Sequence, residues 1–471
     1  MTESTTDLAV VGAGPGGYAA AFLAADLGIG VTLVDEAPNP GGTCLYRGCI
    51  PSKSLLHVAN VIDEAERAEV LGVKFGAPTL DLRVLREWKN RIIEQLGSGL
   101  GRLSSQRQVN YIQGRASILD PHRLSIRGPN GDQVIRFEHV ILATGSSPAI
   151  PTEFLFDSDR VMDSTGALEL SDVPPRLLVV GGGYIGLELA TVYAALGSRV
   201  TIVEMTDDLL PGADRDLVMP VKKRMASLAE AIWPGTTVVR MESLDEGVKV
   251  ALEGEAVGNS DQVFDRVLVS VGRRPNSKIE GLDKTRVQLD TRGFVQVDGQ
   301  RRTAEPSIFA IGDLVGEPML AHKASHEGRL AVEVIHGSES LFEPLAIPAV
   351  VFTDPEIAWC GLTETQAKAE SRAVKVAKFP WGASGRAVTL NRIDGMTKLI
   401  VERESEKVVG VGMVGAGAGE LIAEGVLAIQ MGATASDMKT TIHPHPTLSE
   451  TVMESAEVFF AQSTHYRGKA R

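Results

Sequence analysis

Asp7-Leu8-Ala9-Val10-Val11-Gly12-Ala13-Gly14-Pro15-Gly16-Gly17 reads as a short buried strand running into a glycine-rich turn. A helical pattern follows over roughly Tyr18–Leu27, then a second strand, Val31–Val34, ending at Asp35. Strand, turn, helix and strand in this order make a βαβ unit whose turn suits a phosphate. Gly12 permits the tight turn, Gly14 lets the backbone approach a pyrophosphate, and Gly17 lets helix and strand pack closely. Asp35 is placed to accept hydrogen bonds from a ribose diol.

The unit recurs. Leu177–Val180 is a strand, Gly181-Gly182-Gly183-Tyr184-Ile185-Gly186 the turn, Leu187–Leu196 the helix, and Val200–Val203 the next strand, ending at Glu204. In both copies the acid lies 23 residues after the first glycine. One such glycine pattern is weak evidence. Two copies, each between strand and helix with an acid at the same offset, imply two dinucleotides. Met205-Thr206-Asp207-Asp208 follow Glu204 without an Arg or Lys. A carboxylate there accepts from a free 2′-OH and repels a 2′-phosphate, so the second site is expected to read NAD rather than NADP. Gly186, where alanine would suit NADP, agrees.

Outward from these units, Val140–Ala143 is a further strand, closed by Thr144-Gly145-Ser146. Pro148, Pro151, Pro174 and Pro175 mark a linker. Val267–Val271 leads to a second boundary, Gly272-Arg273-Arg274-Pro275, and Ser307–Ile311 ends in Gly312-Asp313. From about Ile347 the pattern changes. Val350–Thr353, Ala373–Phe379, Met396–Glu402 and Val408–Val414 are strand-like, and Leu421–Met431 is helical. The expected fold class is α/β, with two Rossmann-like dinucleotide-binding domains and a C-terminal α+β domain on an antiparallel sheet. The expected divisions are 1–147, 148–274, a central segment 275–346 that completes the first site, and 347–471. The polar end, Gln462–Arg471, is expected to be mobile.

The chain has 471 residues, 44% apolar and 23% charged, with a net charge of −13. Acidity of this size argues against nucleic acid or an anionic membrane as partner. No apolar run reaches the ~20 residues of a membrane span. The N-terminus lacks the basic and apolar regions of a signal peptide, so a cytoplasmic protein, or the mature form of an organellar one, is expected.

Three cysteines are too few for a structural disulfide framework. Cys44 and Cys49 stand in Gly41-Gly42-Thr43-Cys44-Leu45-Tyr46-Arg47-Gly48-Cys49-Ile50-Pro51-Ser52-Lys53. Across a regular helix an i, i+5 pair would be about 8.6 Å apart at Cα, beyond the ~7 Å a disulfide tolerates. A bridge would therefore need a distorted segment, which Gly48 would permit. Pro51 fits a first helical turn. That places Cys49 at a helix N-terminus, where the dipole lowers a thiol pKa, and leaves Cys44 on the more exposed, loop side. Two inert thiols remain an alternative. Half a zinc site is the other, although no second Cys or His pair stands at ligand spacing. No resident metal is expected. Cys360 has no partner and reads as a small buried hydrophobe.

With these residues in hand the sequence resembles the flavin-dependent disulfide oxidoreductases over essentially its whole length. Cys44 to Lys53, with its Cys-Ile-Pro-Ser-Lys ending, is similar to that family's redox motif. Ala310-Ile311-Gly312-Asp313 is similar to its second flavin motif. Met319-Leu320-Ala321-His322-Lys323 matches the segment that opens a helix toward the isoalloxazine. His443-Pro444-His445-Pro446-Thr447-Leu448-Ser449-Glu450 resembles its catalytic-base signature.

The resemblance implies a redox disulfide, Cys44–Cys49, with Cys49 beside the flavin and Cys44 meeting substrate. It implies FAD on Gly12, Gly14, Gly17, Asp35, Lys53, Thr144, Gly145, Asp313 and Ala321. It implies NAD on Gly181, Gly183, Gly186, Glu188, Glu204 and Gly272, with Glu188 also matched to a position near the flavin as the partner of Lys53. It makes His445 the base, oriented by Glu450 and reaching the disulfide of the other subunit of a homodimer; His443 is left without a catalytic part. Proton removal at neutral pH suits histidine.

Ser52, and the lack of any cysteine beyond Cys360, fit the branch that oxidises lipoyl groups on a lipoyl-domain protein, as in a 2-oxoacid dehydrogenase complex. Another disulfide substrate, or a flavin-bearing sensor without turnover, are the alternatives. Tyr46-Arg47 departs from the family's more usual Asn-Val, and Pro444 from its usual Ala. Both departures are expected to flank the substrate channel.

Overall fold

Residues 2–154 and 158–467 are described by the structure, a computed structural model. The first strand, β1 (Thr2–Val11), begins earlier than its apolar half suggests. Thr2–Thr6 are held by register with Gln133–Phe137, so backbone pairing extends the strand where burial does not. Leu8, Ala9 and Val10 are fully buried. Helix α1 (Pro15–Asp26) opens on Pro15, whose missing N–H costs nothing in a first turn. It leads to β2 (Val31–Asp35). Then come α2 (Gly42–Arg47), α3 (Cys49–Arg67) and the long α4 (Leu82–Gln106).

Four strands follow: β3 (Asn110–Gln113), β4 (Arg115–Asp120), β5 (Arg123–Arg127) and β6 (Gln133–Leu142). The sheet order is β3-β2-β1-β6-β5-β4, parallel from β3 to β6 and antiparallel beyond. Ile308–Ala310 pairs in parallel with the end of β6. The distant segment that ends in Gly312-Asp313 is thereby delivered beside the first glycine turn. The helix after it, Ala321–Ile335, crosses α1 at Gly16 and Gly328. A Cβ on Gly328 would stand 2.4 Å from the Gly16 carbonyl oxygen, so the two backbones touch.

The second glycine unit builds a parallel five-stranded sheet around Arg176–Val180, Arg199–Val203 and Arg266–Val269. The two sequence boundaries are hydrogen-bonded to each other, since Arg273–Pro275 pairs antiparallel with Ser146–Pro148. The C-terminal sheet is antiparallel throughout, in the order Ala349–Val351, Glu356–Gly361, Val408–Gly415, Met396–Glu402, Val374–Pro380. Glu356–Gly361 has no counterpart in the sequence reading. It carries Cys360, which is 1% exposed, and burial pushes that thiol up to about 12.

One buried ion cluster ties the lobes together. Lys398, on the C-terminal sheet, meets Asp214 at 2.6 Å and Asp216 at 2.8 Å, beside the helix Arg215–Leu228 of the second lobe. The chain end is not free as far as it is described. Ser463 and His465 both bond to the buried carboxylate of Glu454, and Tyr466 meets Phe379 edge-on. The expectation of a mobile tail from Gln462 is corrected to that extent; residues 468–471 lie outside the described part.

Candidate active site

The first glycine turn is a cradle that side chains would spoil. Gly12 has φ +99°, and a Cβ there would sit 2.3 Å from the Ala143 oxygen; one on Gly17 would sit 1.8 Å from the Gly12 oxygen. Gly14 faces open space instead, with only Gly42 Cα at 3.9 Å. Asp35 accepts from the Ala13 N–H at 2.7 Å and the Ala37 N–H at 2.9 Å, which fixes its carboxylate at the strand end. The second turn repeats the geometry. A Cβ on Gly186 would lie 2.1 Å from the Gly181 oxygen, while Gly183 meets nothing within 4 Å. Glu204 accepts from the Gly182 N–H at 2.6 Å and from the Thr206 N–H and hydroxyl at 2.8 Å. Each turn leaves a bare backbone and a helix N-terminus for a pyrophosphate, with an anchored carboxylate for a ribose. Both fit dinucleotides.

The redox segment is built directly onto the first turn. The Gly41 N–H donates to the Ala13 oxygen at 2.8 Å, and a Cβ on Gly42 would stand 2.4 Å from Gly14 Cα. Helix α2 runs only to Arg47. Gly48 then breaks the chain direction (φ −146°, ψ −113°), and Cys49 begins α3. A Cβ on Gly48 would be 3.1 Å from the Thr43 oxygen and 3.4 Å from Cys44 Cα, so the break folds α3 back onto α2. This is the distortion the spacing demanded, and it brings the two thiols close enough for each to shift the other's pKa. One expectation is corrected. Cys44 lies within a helix and is the less exposed of the two, because α2 is a helical turn rather than a loop.

The thiols are unequal. Hydrogen bonding from Cys44 favours the Cys49 thiolate, and the Lys53 ammonium one turn along adds to it. Together they outweigh partial burial and bring Cys49 down to about 7. The same interaction pushes the Cys44 thiol up. In the reduced protein, iodoacetamide should therefore label Cys49 with a rate that rises through about pH 7. Lys53→Met should move that midpoint upward. A midpoint in the ordinary thiol range of about 8.5 would contradict the assignment.

Lys53 donates to Glu188 at 2.8 Å; the side chains are 33% and 4% exposed, so only the acid is buried. The second oxygen of Glu188 accepts from the Phe352 N–H at 3.0 Å, and Lys53 lies 4.5 Å from the Phe352 ring centre. One cleft is lined by Cys44, Cys49, Lys53, Glu188, Thr144, Gly145, Asp313 and Ala321, together with Gly14 and Asp35. Glu188, grouped by sequence with the second turn as well, therefore faces the first cleft. Gly272 (φ +126°) follows the strand Arg266–Val269 and does not itself line the cleft, though its neighbour Arg273 does. Asp313 accepts from the Ser146 hydroxyl at 2.6 Å, which in turn accepts from Arg273 Nε at 2.7 Å. In the sequence Ser146 reads only as the close of a strand and Arg273 as part of a domain boundary; the basic pair in that boundary was the available signal. Phe352 carried none, being a strand residue like its neighbours.

His445 and Glu450 come together but away from this cleft. Nδ1 of His445 bonds to Glu450 at 2.9 Å, and the other Glu450 oxygen accepts from the Thr447 N–H at 2.8 Å. Partial burial raises the Glu450 carboxyl, but the Thr447 and His445 bonds outweigh it and hold it below its usual range. The His445 side chain is 71% exposed, and neither residue lines the cysteine cleft of its own chain. His443 is tied down instead, bonded to Glu424 at 2.7 Å and to the Thr441 oxygen at 2.9 Å. Pro444 is exposed between them. Tyr46 and Arg47 both line the cysteine cleft. The far side of the Tyr46 ring rests against α4, with Oη donating to the Asn39 oxygen at 2.9 Å. Arg47 is exposed.

Residues 6–328 match the pyridine nucleotide-disulphide oxidoreductase family, and residues 347–456 match that family's dimerisation domain. The chain is 46% identical over 458 residues to the dihydrolipoyl dehydrogenase of Vibrio cholerae, covering 97% of this chain and 96% of the relative. It is 44% identical over 464 residues to that of Geobacillus stearothermophilus, covering 98% and 97%. Among solved structures it resembles LpdA from Mycobacterium tuberculosis, with a TM-score of 0.88 at 26% identity, covering 98% of this chain and all of that one. It also resembles the HOCl-induced flavoprotein disulfide reductase RclA from Escherichia coli, with a TM-score of 0.86 at 26% identity, covering 96% and 99%.

Proposed function

The chain belongs to the pyridine nucleotide-disulphide oxidoreductase family, and from that premise we infer that it is a dihydrolipoyl dehydrogenase using FAD and NAD. The observation that carries this is the Cys44–Cys49 pair, folded together at Gly48 on the wall of the cleft that the first glycine turn opens. The turn at Gly12, Gly14 and Gly17, with Asp35, Thr144, Gly145, Asp313 and Ala321, would hold FAD. The turn at Gly181, Gly183 and Gly186, with Glu204 and Gly272, would hold NAD. The bound flavin would supply the passage of a hydride's electrons between dithiol and nicotinamide.

The chain's own residues do the rest. His445 of a second copy takes a proton from one thiol of dihydrolipoamide, and Glu450 keeps the imidazole aimed and steadies its positive charge. The substrate thiolate attacks Cys44 Sγ, and Cys49 leaves as thiolate, the better leaving group because its pKa is the lower. The second substrate thiol then displaces Cys44 and releases lipoamide. Lys53, braced by Glu188, holds a positive charge beside the Cys49 thiolate. The working form is a homodimer joined through residues of the C-terminal domain. Its partner is a lipoyl-domain protein of a 2-oxoacid dehydrogenase complex, in the cytoplasm. Among the described residues no helix is long and apolar enough to cross a membrane. The lobes divide at 147, 274 and 346.

Steady-state assays with lipoamide, free lipoate, glutathione disulfide and coenzyme A disulfide, each with its reduced form and NAD(H), test the substrate. Dihydrolipoamide should give the highest kcat/KM with NAD⁺. Preference for a non-lipoyl disulfide would overturn the substrate reading, and background rates with all four would favour a sensor.

A further inference from the structure

We propose that Tyr46, seated on a glycine notch of α4, is a positioning residue for the Cys44–Cys49 pair and sets how readily that disulfide closes. The proposal rests on the redox role given to the two cysteines above.

Helix α2 has six residues and no side-chain cap at either end. A helix that short is not stable alone, so contacts must hold it. Its start is fixed by the Gly41 N–H on the Ala13 oxygen. Its far end is fixed by Tyr46, two residues beyond Cys44. The hydroxyl donates to the Asn39 oxygen, and the ring lies against Gly97 of α4. A Cβ on Gly97 would stand 2.9 Å from Tyr46 Oη and 3.5 Å from Cε1 and Cζ. Four residues on, a Cβ on Gly101 would stand 2.1 Å from the Asn39 side-chain oxygen. Positions i and i+4 share one helix face. The two glycines therefore form one notch, which receives the tyrosine and the asparagine that accepts its hydrogen bond.

Glycine is the poorest helix former after proline, yet both stand inside α4, where the notch gives them a use. Tyr46 is also one of the positions at which the chain departs from the pattern its family resemblance leads one to expect. A large side chain between the cysteines is accommodated because α4 offers no Cβ opposite it. Anything that lifts Tyr46 out of the notch tilts α2 and carries Cys44 away from Cys49, which is anchored separately at the start of α3.

The test is a redox equilibrium on the FAD-bound enzyme in buffers of reduced and oxidised dithiothreitol. Each reduced dithiothreitol gives two electrons and two protons to the Cys44–Cys49 disulfide and closes to its own cyclic disulfide. Acid quench, iodoacetamide and peptide mass then count the thiols at the two positions. Gly97→Ala should shift the equilibrium toward the dithiol about tenfold, near 30 mV for a two-electron couple. Adding Tyr46→Phe removes the atom that clashes and should bring the Gly97→Ala enzyme back to the value of Tyr46→Phe alone. That single variant, which removes one hydroxyl, should shift the same way by a smaller factor. It decides the question if Gly97→Ala does not fold. Equilibria within twofold of wild type, whatever the melting temperatures, would reduce the notch to a packing feature and overturn the proposal. A wild-type enzyme that never forms the disulfide would remove its premise as well.

Discussion

Cys49→Ser should abolish dihydrolipoamide oxidation, lowering kcat by about four to six orders of magnitude, the range seen when a covalent nucleophile or its activating partner is removed. The substitution leaves α3 intact, since serine suits a helix start as well as cysteine does. What it removes is the leaving group. Once a substrate thiolate has attacked Cys44, only a sulfur at position 49 can accept the displaced pair of electrons. A hydroxyl cannot form the bridge in the first place. The FAD-bound variant should also lack the long-wavelength absorbance expected of the wild type on two-electron reduction, because that band needs a thiolate beside the oxidised ring. Turnover and band both surviving in Cys49→Ser would remove the cysteine pair from the mechanism.

His445→Gln should lower kcat/KM for dihydrolipoamide by about two to four orders of magnitude, the usual share of a positioned general base. Glutamine keeps a hydrogen bond to Glu450 but takes up no proton. The loss should shrink as pH rises and the substrate dithiol ionises on its own. A structural role for His445 would give a loss independent of pH. Glu450→Gln should cost less, because it leaves the base and removes only the charge that steadies it, now held through the Thr447 N–H and His445. Neither substitution should change the Cys49 alkylation profile in the isolated chain, since neither residue lines the cysteine cleft of its own subunit.

The two glycine units were legible because each function leaves its own mark on spacing. A tight turn, a close approach and an acid at a fixed offset survive as letters, and the structure places Gly12, Gly17, Gly181 and Gly186 against backbone atoms that exclude a Cβ. The break at Gly48 was legible by arithmetic, since five residues of regular helix overreach a disulfide. What sequence could not carry was packing across distant segments. Tyr46 reads as a channel residue and does line the cysteine cleft. That its ring is backed by Gly97, some fifty residues on, leaves no mark in the letters around it.

The Arg273–Ser146–Asp313 relay was hidden for a related reason. Arg273 and Ser146 lie in segments that read as a boundary and a strand end, and they meet because these two segments pair as strands, beside the Asp313 that a third segment delivers. The tail was misjudged because polar composition says nothing about a single buried acid. Glu454 captures Ser463 and His465 and so orders a segment that has no apolar run.

The proposed reaction requires two chains at each site, with cysteines from one and His445 from the other. Mixing Cys49→Ser and His445→Gln chains under conditions of subunit exchange tests it directly. Each parent is inactive as a homodimer. In a mixed dimer the cysteines of the His445→Gln chain meet the intact His445 of the other, so one site of the two is whole. With random exchange half the dimers are mixed, and the solution should recover about a quarter of wild-type dihydrolipoamide turnover, as a closed two-fold dimer requires. Activity that stays at the level of the parents, although mixed dimers are demonstrated by mass, would contradict the account.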